Sequence, residues 1–340
     1  MITLVKYANG PDGMEIREMP EPEAGPGDIK IRVRAVGICG TDIHIMQDEY
    51  PYNPPVIMGH EYVGEVVAAG ADVRRFAVGD CVVSLTAKHT CETCVYCRQG
   101  LYMLCPERKS IGSGMHGAMA EYLTIPERLA YKVPEGVPYG DELAMSEPLA
   151  CCVRAVLERS VVTAGDVVLI SGPGTIGMLC LQLARLAGAC VIVSGIERDR
   201  PRLELATRLG ADAVAWDREQ LVRLVKERAP LGVDTAFECA GAAASAETCL
   251  NMLRKQGAYT QVALYGKEIP FDFDSFLFKE LTMYTTYAQE PTSWDRMMRV
   301  LETGKLELAD LFDANYSLCD WKEAFAAVRA QKGFKIAMRP

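Results

Sequence analysis

The chain has 340 residues, 49% of them hydrophobic and 24% charged, and 36 Lys and Arg against 45 Asp and Glu give a formal net charge of −9. This composition excludes a disordered chain, a collagen-like fibre and a small disulfide scaffold, and the acidic balance argues against a nucleic-acid or membrane-surface partner. No run approaches the roughly 18 apolar residues of a membrane helix, and residues 1–6 lack a signal-peptide pattern, so we expect a cytoplasmic protein.

The length predicts about two domains, and residues 1–150 carry the pattern of an irregular, mostly β domain. Alternating apolar residues predict a strand over 29–36. Similar patterns predict strands over 62–68 and 81–85, and turn signals rich in Gly and Pro separate the three.

From residue 151 onward, short apolar strands alternate with helices, as expected of a second domain over 151–290. A continuous apolar run predicts a fully buried strand over 166–171, followed by a helix over 178–187. The remaining predicted elements are strands over 190–194, 233–238, 259–264 and 281–286 and helices over 201–209, 243–255, 293–302 and 321–330. This alternation predicts a doubly wound parallel sheet, and the residues alone leave open which domain the last two helices join.

A glycine-rich loop lies between the buried strand and the helix that follows it. Gly172 permits a tight turn, Gly174 lets the backbone approach a pyrophosphate, and Gly177 lets the helix pack against the strand. The N-terminus of that helix supplies N–H groups and partial positive charge for phosphates. The candidate cofactor-binding residues of this loop are Gly172, Pro173, Gly174, Thr175, Ile176 and Gly177.

The choice between NAD and NADP depends on the end of the second strand, where an acidic residue would bind the ribose hydroxyls. Gly195 is the expected strand end, and Glu197 follows two residues later. Arg198, Arg200 and Arg202 come next and could hold a 2′-phosphate, which Glu197 would repel. These residues leave the cofactor open between NAD and NADP, with a slight preference for NAD.

Four of the 13 cysteines lie within fifteen residues, at Cys91, Cys94, Cys97 and Cys105. Without an export signal, clustered cysteines indicate metal ligands rather than disulfides. Four thiolates at this spacing can surround one Zn²⁺ and leave no position for water, which predicts a closed, structural zinc site. An iron–sulfur cluster or chance clustering are the alternatives.

Other metal-ligand residue types lie at Cys39, at the adjacent His60 and Glu61, and at Glu147. Each is commonplace alone, since a lone cysteine is more often a core residue. In their order along the chain, with the four-cysteine segment and the glycine loop, they make the chain resemble the zinc-dependent medium-chain dehydrogenase/reductase superfamily. The resemblance covers essentially the whole chain and is closest to the sorbitol (polyol) and threonine dehydrogenase branches.

The resemblance implies an α/β fold with two domains. A GroES-like, mostly β catalytic domain would span 1–150, with 291–340 returning to it, and a Rossmann dinucleotide-binding domain would span 151–290. The resemblance also implies a homodimer or homotetramer, paired through a sheet edge near 281–286.

The resemblance further implies a catalytic zinc, so that each chain would hold two zinc ions. The implied ligands are Cys39, His60 and one carboxylate, either Glu61 or Glu147. If Glu61 is the ligand, Glu147 would contact the water on the ion. Thr41 would be the first hydroxyl of a proton relay, and His44 the next carrier.

The leading hypothesis is therefore a zinc-dependent dehydrogenase that transfers a hydride between a secondary alcohol, of the polyol or sugar-alcohol class, and NAD(P). The alternative is an L-threonine-type hydroxy-amino-acid or amino-alcohol dehydrogenase. A third hypothesis, of another class, is a zinc-ribbon module that binds a macromolecule through the four-cysteine segment. The net charge and the glycine loop argue against this third hypothesis.

Overall fold

The computed structural model describes residues 1–340, apart from the side chains of residues 314 and 315. The chain forms two compact units, of which the first comprises Met1–Pro148 and Gln289–Pro340 and the second Leu149–Ala288. Among the described residues, no helix has the length and apolar character needed to cross a membrane.

The elements have the following bounds. The strands are β1 (Ile2–Lys6), β2 (Met14–Glu18), β3 (Asp28–Gly37), β4 (Val56–Ile57), β5 (Glu61–Ala69), β6 (Cys81–Ser84), β7 (Tyr122–Pro126), β8 (Ala130–Lys132), β9 (Val167–Ser171), β10 (Cys190–Ser194), β11 (Ala213–Ala215), β12 (Val233–Glu238), β13 (Leu253–Gln261), β14 (Thr282–Thr285), β15 (Phe312–Ser317) and β16 (Lys335–Arg339). The helices are α1 (Gly40–Met46), α2 (Val95–Arg98), α3 (Ser146–Val153), α4 (Thr175–Leu186), α5 (Arg200–Arg208), α6 (Arg218–Arg228), α7 (Ala243–Met252), α8 (Phe273–Lys279), α9 (Pro291–Glu302) and α10 (Trp321–Arg329).

The first unit is built on two sheets. One has the order β2-β1-β4, and the other has the order β15-β16-β3-β5-β6-β8, with β7 pairing with β3. In β3, Ile29, Ile31 and Ala35 are completely buried, as the alternating apolar pattern predicts. Strand β3 pairs antiparallel with both β5 and β16, and Gly37 lies opposite Glu61 on one side and Ala337 on the other. The end of β3 therefore meets the start of β5 and residues near the C-terminus.

The second unit contains one parallel sheet of order β11-β10-β9-β12-β13-β14. Residues 168–170 of β9 are completely buried, because β9 lies inside the sheet. One unit with this parallel sheet and one unit that is mostly β confirm the predicted α/β fold class.

Several predicted boundaries are wrong. The helix predicted over 243–255 ends at Met252, and the strand predicted over 259–264 instead spans Leu253–Gln261. Leu253 already pairs with Val233 of β12, and this pairing takes precedence over the helical spacing of the residues. The second strand of the parallel sheet ends at Ser194, one residue before the expected Gly195.

Candidate active site

A thiol, an imidazole and a carboxylate come together where β3, β5 and α1 meet. Ligand atoms of Cys39, His60 and Glu61 all lie within 4.8 Å of one another. Cys39 is the N-cap of α1, His60 immediately precedes β5, and Glu61 is the first residue of β5. The pairing of Gly37 with Glu61 brings the two segments together, although 21 positions separate Cys39 from His60 in the chain.

Asp42 supports this group from the first turn of α1. Its Oδ2 accepts a 2.8 Å hydrogen bond from the Cys39 N–H, and its Oδ1 lies 3.7 Å from His60 Nδ1. Asp42 is completely buried, and Oδ1 has no hydrogen-bond partner. Burial raises the pKa of Asp42. Burial lowers the pKa of His60, but Asp42 and Cys39 outweigh this effect and raise it well above its usual value.

Lys335, the first residue of β16, forms a buried ion pair with Glu61. The distance from Lys335 Nζ to Glu61 Oε2 is 2.6 Å, and Nζ also donates to the carbonyl oxygen of Ile38 at 3.3 Å. Burial lowers the pKa of Lys335, but the charges of Glu61, Cys39 and Glu147 and the hydrogen bond to Glu61 together outweigh burial, so the pKa is raised. A carboxylate has two oxygens, so Glu61 can bind Lys335 and still offer an oxygen to a metal ion.

Glu147 lies near this group but outside it. Its Oε1 accepts a 2.7 Å hydrogen bond from Gln289 Nε2, and burial raises its pKa to about 7. The compact group of ligand atoms contains Glu61 and not Glu147. The geometry thus favours Glu61 over Glu147 as the carboxylate nearest to Cys39 and His60.

The donor set suits a zinc ion. Thiolate, imidazole and carboxylate are the ligands that zinc takes in proteins. The carboxyl groups of Asp42, Glu61 and Glu147 are close enough to act on one another electrostatically, and the ammonium group of Lys335 acts on all three. A divalent cation would neutralise part of this buried negative charge, so the residues fit a metal centre.

The two residues predicted to carry protons lie on α1. Thr41 Oγ1 is 3.7 Å from Cys39 Sγ, and His44 Nδ1 is 2.7 Å from Glu49 Oε2. Thr41 and His44 are three positions apart, and this spacing places them on the same side of a helix. A hydrogen bond from Nδ1–H to Glu49 would leave Nε2 of His44 free to accept a proton.

The four-cysteine segment brings its sulfur atoms within 4.8 Å of one another. Cys91 Sγ lies 3.9 Å from Cys97 Sγ and 3.6 Å from Cys105 Sγ. Four sulfurs bound tetrahedrally to zinc are about 3.8 Å apart. The backbone N–H groups of Cys91, Cys94 and Cys97 each point at a sulfur atom of the set, at 3.3–3.4 Å, which stabilises thiolates.

The glycine loop joins β9 to α4, which begins at Thr175. Gly172 has a φ of +109°, which favours glycine, and a Cβ on Gly177 would lie 2.0 Å from the Gly172 carbonyl oxygen. Gly174 is the N-cap of α4, and the space beside its Cα is open. The loop therefore has the tight turn and the accessible backbone that a pyrophosphate requires.

Past β10, the acidic and basic candidates lie close together. Glu197 is exposed, and its Oε1 is 3.0 Å from Arg200 Nε. The Arg200 guanidinium lies 4.4 Å from the centre of the Trp216 ring. Arg202 is half-buried, and burial lowers its pKa. Glu197 is thus paired with one of the three arginines that the sequence analysis considered for a 2′-phosphate.

Four residues of this region escaped the sequence analysis. Asp42 could have been found, because it follows Cys39 by the three positions typical of a capping box. No local signal marks Lys335 or Gln289, which are far from their partners in the chain. The same holds for the buried Glu290, whose carboxylate accepts from the Met103 N–H at 3.2 and 3.3 Å and holds the four-cysteine segment near Cys105.

Comparisons with known proteins agree with these features. Residues 25–135 match the family model of the alcohol dehydrogenase GroES-like domain, and residues 175–303 match that of the zinc-binding dehydrogenases. The chain is 36% identical to sorbitol dehydrogenase of Halalkalibacterium halodurans, over 100% of this chain and 99% of that protein. It is 38% identical to D-arabitol-phosphate dehydrogenase of Enterococcus avium, over 97% and 95% of the two chains. A solved structure from Sinorhizobium meliloti 1021, described as a zinc-binding dehydrogenase bound to NADP, superposes with a TM-score of 0.90 at 31% identity, over 100% and 99% of the two chains.

Proposed function

Since the chain belongs to the zinc-dependent medium-chain dehydrogenase family, we propose that it transfers a hydride between a secondary alcohol of the polyol class and a nicotinamide dinucleotide. The observation that carries the proposal is the close grouping of the ligand atoms of Cys39, His60 and Glu61. The glycine loop between β9 and α4 supports a dinucleotide as the second reactant.

We propose that Cys39, His60 and Glu61 hold the catalytic zinc. When bound, the ion would act as a Lewis acid on the hydroxyl oxygen of the alcohol. Asp42 lies 3.7 Å from His60 and accepts from the Cys39 N–H, while Glu147 accepts a hydrogen bond from Gln289. Thr41 would accept the proton that the alcohol loses, and His44, held by Glu49, would pass it on towards water.

The second zinc is assigned to Cys91, Cys94, Cys97 and Cys105. Four thiolates complete a tetrahedral shell, so this ion would stabilise the segment and take no part in the reaction.

For the cofactor, we propose NAD rather than NADP. Glu197 follows β10 at the place where a carboxylate can accept hydrogen bonds from ribose hydroxyls, and it would repel a 2′-phosphate. The predicted backbone contacts to the pyrophosphate come from Gly172–Gly177. Arg202 lies in the first turn of α5, on the expected adenosine side.

Sorbitol and D-arabitol phosphate are named in two relatives, and these names support a substrate among polyols and their phosphates. L-Threonine is the alternative. An ammonium group would require its own carboxylate in the pocket, and we assign Glu61, which already binds Lys335, to the metal.

We further propose that the chain forms homodimers or homotetramers in the cytoplasm. Strand β14 is at one end of the parallel sheet, and the nearby α8 exposes Phe273, Leu277 and Phe278 at 67%, 72% and 73%. An open sheet edge beside an apolar patch is typical of an interface between subunits. Leu277→Asp is expected to shift the mass measured by light scattering towards that of one chain.

The proposed function is tested by metal analysis together with a substrate panel. We expect two zinc ions per chain, and reduction of NAD⁺ with sorbitol, arabitol or their phosphates but not with L-threonine. Cys39→Ser should abolish turnover, while Cys81→Ser, which replaces a thiol of β6 outside both metal groups, should not. Turnover that survives in Cys39→Ser, or a protein that oxidises only L-threonine, would contradict the proposal.

A further inference from the structure

We propose that Glu238 is a positioning residue for dinucleotide binding, because its buried carboxylate holds the segment after β12 against the glycine loop. This inference rests on the proposed role of Gly172–Gly177 as the dinucleotide loop. Glu238 belongs to neither metal group, and the sequence analysis gave it no role.

Glu238 is the last residue of β12, in the middle of the parallel sheet. It pairs with Ser171, the last residue of β9, on one side and with Gln261, the last residue of β13, on the other. Ligands of open parallel sheets bind outside the carboxyl ends of the strands. Glu238 therefore lies at the binding edge of the sheet, directly beneath the loops that leave it.

The carboxylate of Glu238 is completely inaccessible to solvent. Its Oε1 accepts hydrogen bonds from the N–H groups of Ala240 at 2.9 Å and Gly241 at 3.0 Å, and its Oε2 accepts one from Gln261 Nε2 at 2.9 Å. These partners are all N–H donors, and a set of donors matches an ionised carboxylate, which can only accept. Buried charge without such partners would be strongly destabilising, so the segment 239–241 is fixed to the strand end.

A second layer of hydrogen bonds orients the amide of Gln261. Its Oε1 accepts from the hydroxyls of Tyr259 at 2.7 Å and Tyr265 at 2.8 Å. With the oxygen bound by two donors, the amide nitrogen must face acceptors, and it donates to Glu238 and to the carbonyl oxygen of Ala263 at 2.6 Å. The carboxylate is thus part of a satisfied network that extends across β12 and β13.

The segment that Glu238 holds is in direct contact with the glycine loop. The Cys239 N–H donates to the Ser171 carbonyl oxygen at 2.9 Å. A Cβ placed on Gly172 would lie only 2.7 Å from the Ala240 nitrogen, so the two backbones touch. If Glu238 released Ala240 and Gly241, the first glycine of the loop would lose the surface that defines its turn.

Asp234 offers a matched control on the same strand. Its carboxylate also accepts a backbone N–H, from Val167 at 2.8 Å, and it binds Arg254 Nε at 2.7 Å. It is four residues from Glu238, about 13 Å along the strand, at the amino ends of the strands where no dinucleotide is expected. Replacing either carboxylate with an amide removes a hydrogen-bond acceptor from β12, but only the carboxylate of Glu238 supports the glycine loop.

The test compares Glu238→Gln with Asp234→Asn in the full-length, zinc-loaded protein. NAD⁺ and NADH are titrated by calorimetry, and hydrogen exchange is measured without cofactor. We expect Glu238→Gln to raise the Kd at least about tenfold, because charge-assisted hydrogen bonds are lost in a buried position, and to speed exchange at the amides of Ala240 and Gly241. Asp234→Asn should change the Kd less than about twofold, even if its melting temperature falls as much as that of Glu238→Gln.

The inference is overturned if folded Glu238→Gln binds NAD⁺ as the wild type does, or if Asp234→Asn weakens binding equally. If Glu238→Gln does not fold, Gln261→Leu provides the test, because it leaves both backbone donors of Glu238 in place. Gln261→Leu should raise the Kd by a smaller factor than Glu238→Gln. An unchanged Kd in Gln261→Leu would count against the inference. A wild-type protein that binds neither NAD⁺ nor NADP⁺ would instead contradict the proposed function itself.

Discussion

Replacing Lys335 with methionine tests how the charge of the candidate active site is balanced. Lys335 and Glu61 are almost fully buried, with 8% and 1% of their side chains exposed, and they form an ion pair of 2.6 Å. Removing one partner of a buried pair costs about 3–5 kcal/mol, because the other charge is left unpaired. We expect Lys335→Met to lower the free energy of unfolding of the zinc-free protein by about 3 kcal/mol.

Zinc should reduce this loss. An ion bound to Cys39, His60 and Glu61 would itself balance the charge of Glu61, so Lys335→Met should destabilise the zinc-loaded protein by only about 1 kcal/mol and should bind zinc more tightly. Urea unfolding with and without chelator measures the first difference, and competition with a zinc-binding dye measures the second.

Lys30→Met is the matched control for Lys335→Met. Lys30 is a buried lysine of β3, and its partner Glu21, at 2.8 Å, is half exposed. Its replacement should lower stability by about 1 kcal/mol, equally with and without zinc. If Lys335→Met loses the same free energy in both forms, as the control does, Glu61 does not share its charge between lysine and metal and the reasoning is refuted.

Other predictions concern the four-cysteine segment, the first unit and the glycine loop. Cys94→Ser should release one zinc ion and lower the melting temperature. A variant with unchanged zinc content and unchanged melting temperature would contradict the structural zinc site. Burial raises the pKa of Asp141, but hydrogen bonds from Arg34 and Arg339 outweigh it and lower the pKa below its usual value. This stabilisation is complete above about pH 4 and is lost as the pH falls through the lowered pKa. Asp141→Asn should therefore lower the free energy of unfolding by about 1–2 kcal/mol at pH 7. Acid denaturation curves should show this difference between variant and wild type becoming smaller as the pH falls. Gly177→Ala should weaken NAD⁺ binding in calorimetric titrations and destabilise the protein, because its methyl group would meet a carbonyl oxygen at 2.0 Å; unchanged binding would contradict the packing argument.

What could be predicted from the sequence was local in the chain. The parallel sheet follows from short apolar strands alternating with helices, and the four cysteines lie within fifteen residues. Lys335 could not be predicted, because 274 positions separate it from Glu61 and only the pairing of β16 with β3 brings them together. The end of α7 was missed for the same reason, since the pairing of Leu253 with Val233 takes precedence over local spacing.

We expect the two proposed metal groups to differ in how they lose zinc, because different groups stabilise their ligands after the ion has left. At Cys39, His60 and Glu61, a buried ammonium group from Lys335 already balances Glu61, so the site keeps a partner for its carboxylate when the ion leaves. In the four-cysteine segment, the sulfurs are supported by backbone N–H groups, and loss of the ion would leave the four sulfurs without the group that links them. Graded chelation should therefore release one zinc with loss of turnover and little change in melting temperature, and then a second with a fall in melting temperature. A single release step in which activity and stability are lost together would show that the two groups are not independent.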